Sequence, residues 1–426
     1  MKELERIEFQ LLDKDPEVRI NALLNACEFG EVGIKLVAQA LENQTRKVRQ
    51  AALILLGESA TEIAKQALWN YLPFSKMQCL HTITEFKFGS FNTEGFDPDY
   101  FAIANYNNTL VAYWDITYKA SGAAVWNLET GEAQKDFWLM AHDFGLGKKG
   151  KIFISSYQDV IMPSQNIETQ KLPDDYLEGI SKMRGIEPMG FAVAKNDNPL
   201  VSVVEVIQTI KIESNGKVPV ILGKLRIWNY ETYSCLLDDE FENLVLPLSN
   251  YFGYSIKKSK KFFISPIIFT SNENFFISCL LDKQKHYIVK LWDIKETRLI
   301  QTISNIPKLT ITSASVNLNE TIIVCGIRKG KVCAWELQTD KIIFTTDEMC
   351  PCILSNNGRI LIYATANYEI VVRDLVKEQE LCKLIGHKAP IAYLTLSEDY
   401  EFIASYSTDR QIKIWGIPDY SLGKVF

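Results

Sequence analysis

The chain of 426 residues has no run of about 18 consecutive apolar residues, so nothing in it reads as a membrane-spanning helix. Its first residues, MKELERIEFQ, are charged and lack the apolar stretch of a secretory signal, which leads to the expectation of a cytoplasmic protein. A basic excess is also missing: 46 Lys and Arg stand against 52 Asp and Glu, a net charge of −6. Nucleic-acid binding calls for a basic stripe, so no nucleic-acid partner is expected. Histidine is scarce, with His81, His142, His286 and His387 scattered along the chain. The nine cysteines are odd in number and lack regular spacing, and Cys350-Pro351-Cys352 has no second pair at zinc distance. They read as reduced, buried thiols, which behave as small hydrophobes. No D-x-D-x-D-G spacing occurs, so Asp174-Asp175 and Asp238-Asp239-Glu240 read as solvated loop carboxylates. No nucleophile is paired with a base. The chain is therefore expected to work without metal, cofactor or catalysis.

What is present is ordinary globular material, 47% hydrophobic and 23% charged, enough for a sizeable core. Over residues 1–75 the apolar period is helical. Ile20, Leu23, Leu24 and Cys27 form one stripe, and Ile34, Val37, Ala38 and Leu41 a second. Val48, Ala51, Ala52 and Leu55 form a third, and Ala64, Ala67, Leu68 and Tyr71 a fourth. Asp15-Pro16-Glu17 reads as a helix start, with Asp15 as cap, Pro16 in the first turn and Glu17 at the positive dipole end. Gly30 and Gly57 read as helix stops. Val18-Arg19-Ile20-Asn21-Ala22 recurs as Val48-Arg49-Gln50-Ala51-Ala52, thirty residues later. This V-R-x-x-A element, with Leu55-Leu56-Gly57-Glu58 after the second copy, resembles a HEAT repeat of the short, bilin-lyase-like type over residues 8–72. The resemblance implies stacked helix pairs, an α-solenoid.

From residue 77 the period becomes two. Phe101-Ala102-Ile103-Ala104, Leu225-Arg226-Ile227-Trp228 and Ile288-Val289-Lys290-Leu291-Trp292 are strand-like, with turn residues between such runs. Strand endings recur as AAVWNLETGE, LRIWNYETYS, VKLWDIKETR, VCAWELQTDK, VVRDLVKEQE and IKIWGIPDYS. Their aligned positions are Trp126, Trp228, Trp292, Trp335, Arg373 and Trp415, and the later gaps match the ~40–45-residue pitch of WD40 repeats. The long gap from Trp126 to Trp228 leaves room for one more unit, around Lys151-Ile152-Phe153-Ile154. Residues 77–426 thus resemble a WD40 protein, which implies an all-β, seven-bladed propeller. Gln78–Ile83 is expected to close the last blade, with Leu422–Phe426 the other candidate.

The last repeat is GHKAPIAYLTLSEDYEFIASYSTDRQIKIW. By the resemblance, His387, Ser405 (or Ser407), Asp409 and Trp415 form a hydrogen-bonded structural tetrad. Elsewhere Leu222, His286, Lys329 and Asn367 replace the aspartate, so the tetrad is complete once. Segments 158–188 and 207–223 exceed the repeat pitch, and loops of that length are usually functional or disordered. Gly145-Leu146-Gly147-Lys148-Lys149-Gly150 matches G-x-G-x-x-G but leads into a strand pattern, so it reads as a turn rather than a phosphate cradle. His142 reads as a degenerate copy of the Gly386-His387 pair, and Lys257, Lys258, Lys260 and Lys261 as a solvated basic loop.

These readings converge on a non-enzymatic scaffold or adaptor that binds other proteins through loop and helical surfaces. Position puts His286, Arg328, Lys329, Lys388, Thr408 and Arg410 on the candidate partner face. The bilin-lyase-like resemblance raises an enzyme auxiliary as the alternative. A ligand-sensing module acting in trans is a further one, since no nucleotide-binding domain is fused.

Overall fold

Asp15 opens the second of five short α-helices. Its carboxylate accepts the Glu17 amide at 2.9 Å, with Pro16 in the first turn. The helices are α1 (Lys2–Gln10), α2 (Pro16–Ala26), α3 (Gly30–Gln39), α4 (Arg46–Glu58) and α5 (Glu62–Asn70). The Thr61 hydroxyl caps α5 by accepting the Ala64 amide. In this computed structural model, residues 2–84 and 351–419 are described without a break, and between them the strands and some of their turns.

The helices pack around one core that includes Leu23, Ala26, Ile34, Val37, Val48, Ala52, Leu56 and Ala64. Three of the four apolar stripes supply it much as their period predicts. Two details differ. Leu24 faces outward and is 51% exposed, while Leu56 is fully buried. Gly57 does not stop α4, which runs through it to Glu58. Gly30 does break the chain, at φ +58°, between a short 3-10 turn and α3. Gly33, which no sequence pattern singled out, lets α3 close on the end of α2. A Cβ there would stand 1.7 Å from the Ala26 carbonyl oxygen.

Beyond Gln78 the described chain is built of strands. Seven four-stranded antiparallel sheets occur among the described residues, with a two-stranded ribbon at 87–92. Six of the seven use four consecutive strands each, starting at Tyr100, Asp143, Pro188, Ile267, Leu309 and Cys352. The seventh combines the three strands Ile391–Leu396, Phe402–Ser407 and Gln411–Gly416 with Gln78–Ile83 along its edge. Central strands such as Ile360–Ala364 and Phe402–Ser407 are buried at every position, so both their faces are packed. Edge strands such as Lys341–Thr346 are half solvated. The repeated strand endings share one backbone device. A bulge falls immediately before Trp126, Trp228, Trp292, Trp335 and Arg373, between the third and fourth strands of five sheets.

The expected fold class, an α-solenoid followed by a closed seven-bladed propeller, needs correction. The helical part is five helices of 9–13 residues on a single core, not an extended solenoid. The sheets are separate and open, each ending in two edge strands, and none is closed. Neighbouring sheets meet through side chains rather than through hydrogen-bonded ladders. Ile277, Val289 and Leu291 pack with Ile311, Val324 and Trp335, and Ile323, Cys325 and Val332 pack with Cys352, Leu361 and Val371.

The chain divides into two units. One joins Met1–Leu80 to Glu398–Phe402 and to the described residues from Trp415 onward; the other spans His81–Ser397 and Ile403–Ile414. Among the described residues, no helix is long and apolar enough to cross a membrane.

Candidate functional site

The turn between Phe402–Ser407 and Gln411–Gly416 carries Thr408 and Arg410, two of the six residues that the sequence placed on a partner face. Beneath it runs a line of buried polar groups. His387 Nε2 lies 2.8 Å from Ser405 Oγ, and Nδ1 lies 3.1 Å from Asp409 Oδ2. The same carboxylate oxygen accepts the Lys388 amide at 2.9 Å, and Oδ1 accepts the Gln411 amide at 3.0 Å. Ser405, not Ser407, is the serine that meets the histidine. Ser407 instead donates to the Ala389 carbonyl at 2.9 Å and accepts the Asp409 amide at 3.1 Å. Trp415, the fourth residue of the expected tetrad, is buried in the last strand.

Burial pushes the His387 pKa below its ordinary value of 6.5, against the opposing pull of Asp409. The ring is therefore neutral at physiological pH, with Nδ1 donating to the carboxylate and Nε2 accepting from Ser405. Burial alone would raise the Asp409 carboxyl. The Lys388 amide, His387 and the Gln411 amide together hold it below its ordinary value. Every group in this line has a partner, so it fixes shape and offers no free acid or base to a substrate.

Lys388, Thr408 and Arg410 are exposed, and so are Ile385, Gly386 and Pro390 along the stretch that carries Lys388. Ile385 is a large apolar side chain left 68% exposed. The two loops are cross-braced: the Thr408 amide donates to the Pro390 carbonyl at 2.9 Å and the Thr408 hydroxyl to the same oxygen at 3.3 Å. Arg410 occupies the left-handed region at φ 63°, which turns the chain sharply into the last strand.

Arg328 ends the strand Ile322–Arg328, opposite Lys331. His286 and Lys329 lie outside the described residues, as do His142, the basic run 257–261 and most of 158–188 and 207–223. Gly145-Leu146 ends a strand, Asp143–Leu146, and the rest of that glycine-rich motif, 147–150, lies outside the described residues. Asp238-Asp239-Glu240 lies inside the strand Ser234–Leu244, not in a loop. Trp114, off the repeat pitch, is buried edge-on against Trp126, at 6.3 Å between ring centres.

Two buried charge clusters escaped the sequence reading. In the first unit, Arg49 grips Glu401 with both forks, Nε to Oε1 at 2.8 Å and a terminal nitrogen to Oε2 at 2.5 Å. The Tyr71 hydroxyl donates to the same Oε1. Arg46 pairs with Asp399 at 3.2 Å and stacks over the Phe402 ring at 4.4 Å. Burial works against the Arg49 charge, yet the Glu401 carboxylate holds its pKa above the ordinary value. Burial first, and the Glu401 charge next, push the Tyr71 hydroxyl upward. In the second unit, Arg359 meets Asp374 at 2.6 Å, both side chains almost wholly buried. Asp374 also accepts the Val376 and Lys377 amides at 2.9 and 3.1 Å. The only sequence signal was an arginine inside an apolar stripe, Arg49 beside Val48.

Among the described residues, no group of three or more His, Cys, Asp or Glu is placed to hold a metal ion. No protein-family model matches the chain, and no curated protein matches it either.

Proposed function

We propose that this protein is a non-enzymatic, cytoplasmic scaffold or adaptor that binds another protein through the surface of Lys388, Thr408, Arg410 and Ile385. One observation carries the reading: exposed cations and an exposed isoleucine stand on loops that are rigidly braced from below. Rigid presentation lowers the ordering cost of association, which is how a small patch gains affinity. Exposed cations together with an exposed apolar side chain suit a partner with an acidic segment and a hydrophobic anchor.

The test is a charge reversal, Lys388→Glu with Arg410→Glu, followed by affinity purification from the native cell. Loss of a bound protein, with the thermal midpoint unchanged, is the expected outcome. A partner set identical to wild type would show that this face does not bind.

A further inference from the structure

Cys350-Pro351-Cys352 stood out in the sequence and plays no part in the reading above. The structure brings Cys352 to a second thiol. Cys352 opens the strand Cys352–Leu354, and Cys325 lies in the middle of Ile322–Arg328 in the neighbouring sheet. The side chain of Thr312 sits between them. Its Oγ1 is 3.5 Å from Cys325 Sγ and 3.3 Å from Cys352 Sγ, and both cysteines are buried.

Hydrogen-bond capacity decides the arrangement. A threonine hydroxyl has one proton and two acceptor sites. The nearest acceptor is the Cys352 carbonyl at 2.7 Å, closer than the Cys325 carbonyl at 3.2 Å, so the proton goes to Cys352. The two remaining lone pairs then accept from the two thiols, and one oxygen holds two S–H groups of adjacent sheets face to face.

From this geometry we propose that Cys325 and Cys352 are a modification site, a dithiol that hydrogen peroxide converts reversibly to a disulfide joining the two sheets. The roles are unequal. Cys352 keeps 4% of its surface exposed while Cys325 is wholly enclosed, so peroxide reaches Cys352 first; burial also pushes the Cys325 thiol up. Cys352 is therefore the attacking sulfur. Its thiolate attacks one peroxide oxygen, the O–O bond breaks, and hydroxide leaves to become water on protonation. The Cys352 sulfenic acid that results is attacked by Cys325; an S–S bond forms and the second oxygen leaves as water. Two thiols are oxidised by two electrons and one peroxide is reduced to two waters.

The full-length protein is exposed to graded hydrogen peroxide, the remaining thiols are alkylated under denaturing conditions, and peptides are mapped by mass spectrometry. The expected result is a Cys325–Cys352 cross-linked peptide, with both thiols lost together and regained on dithiothreitol treatment. Thr312→Val releases the two sulfurs and slows the cross-link relative to wild type. A Cys350–Cys352 cross-link, over-oxidation of Cys352 with Cys325 still reduced, or survival of both thiols across the whole peroxide range would each overturn the proposal. The wild-type mapping decides even if the threonine variant fails to fold.

Discussion

A glycine and an arginine show how much rests on single side chains. Gly33→Ala adds a methyl group where the Ala26 carbonyl oxygen already sits, and the contact is with backbone that cannot swing aside. The variant is expected to lose about 1–3 kcal/mol, measured by denaturant unfolding. Glu401→Ala strands two buried donors, Arg49 and Tyr71, and is expected to cost roughly 3–5 kcal/mol. The combined change Arg49→Met, Tyr71→Phe, Glu401→Leu removes all three polar partners and is expected to recover most of that loss. Recovery marks the cluster as a set of mutual obligations; equal loss in both variants would mean that packing alone was damaged. Neither feature was legible in the sequence for its true purpose. The V-R-x-x-A repeat put Arg19 and Arg49 at equivalent positions, yet Arg19 bonds only Asn43 and Thr45, while Arg49 also reaches Glu401. Local spacing says where an arginine stands on its helix. It says nothing of an acid 352 residues away.

Among elements, the last hairpin was the most readable. Its residues bond one another across a short loop, and their identities, His387, Ser405 and Asp409, mark the pattern directly. The choice between Ser405 and Ser407 was not readable, because both lie on the same face of the strand and only the position of the imidazole separates them. The hairpin makes a pH prediction. Both His387 and Asp409 have pKa values lowered by folding. Each then contributes stability that is complete above its unfolded pKa and is lost as pH falls through its folded pKa. The thermal midpoint is expected to fall in two stages on acidification, the first beginning below 6.5 and the second below 3.8, the two ordinary values. His387→Gln removes the upper stage and leaves the lower one. A single stage in wild type would exclude the histidine. The same scale explains the strand endings: the sequence repeat at Trp126, Trp292, Trp335 and Arg373 coincides with a repeated bulge. A bulge turns the strand locally and re-aims its side chains, so the recurring residue type follows from a recurring kink.

At the scale of the whole molecule the sequence misled. Periodicity identifies strands and turns, but it does not say whether successive sheets share hydrogen bonds or only side-chain contacts, nor how many helix pairs stack. The solenoid and the closed ring were inferences from resemblance, and both gave way to a single helical core and open sheets. What no local pattern contained is the membership of the first unit, which joins Met1–Leu80 to Glu398–Phe402. Residues 1–80 produced alone lack Asp399 and Glu401, the partners of Arg46 and Arg49. They are expected to melt well below the intact chain, with hydrogen exchange in α4 no longer protected. Full protection of α4 in the fragment would show that the helices need no distant partner. This membership also sets a timetable for synthesis. The helices leave the ribosome long before Glu401 does, and they cannot be finished until it follows. At about 5–20 residues per second, tens of seconds separate Arg49 from the acid that completes it. Through that interval a nascent helical segment holds unanswered charges in its interior, and it is then that a chaperone would find it.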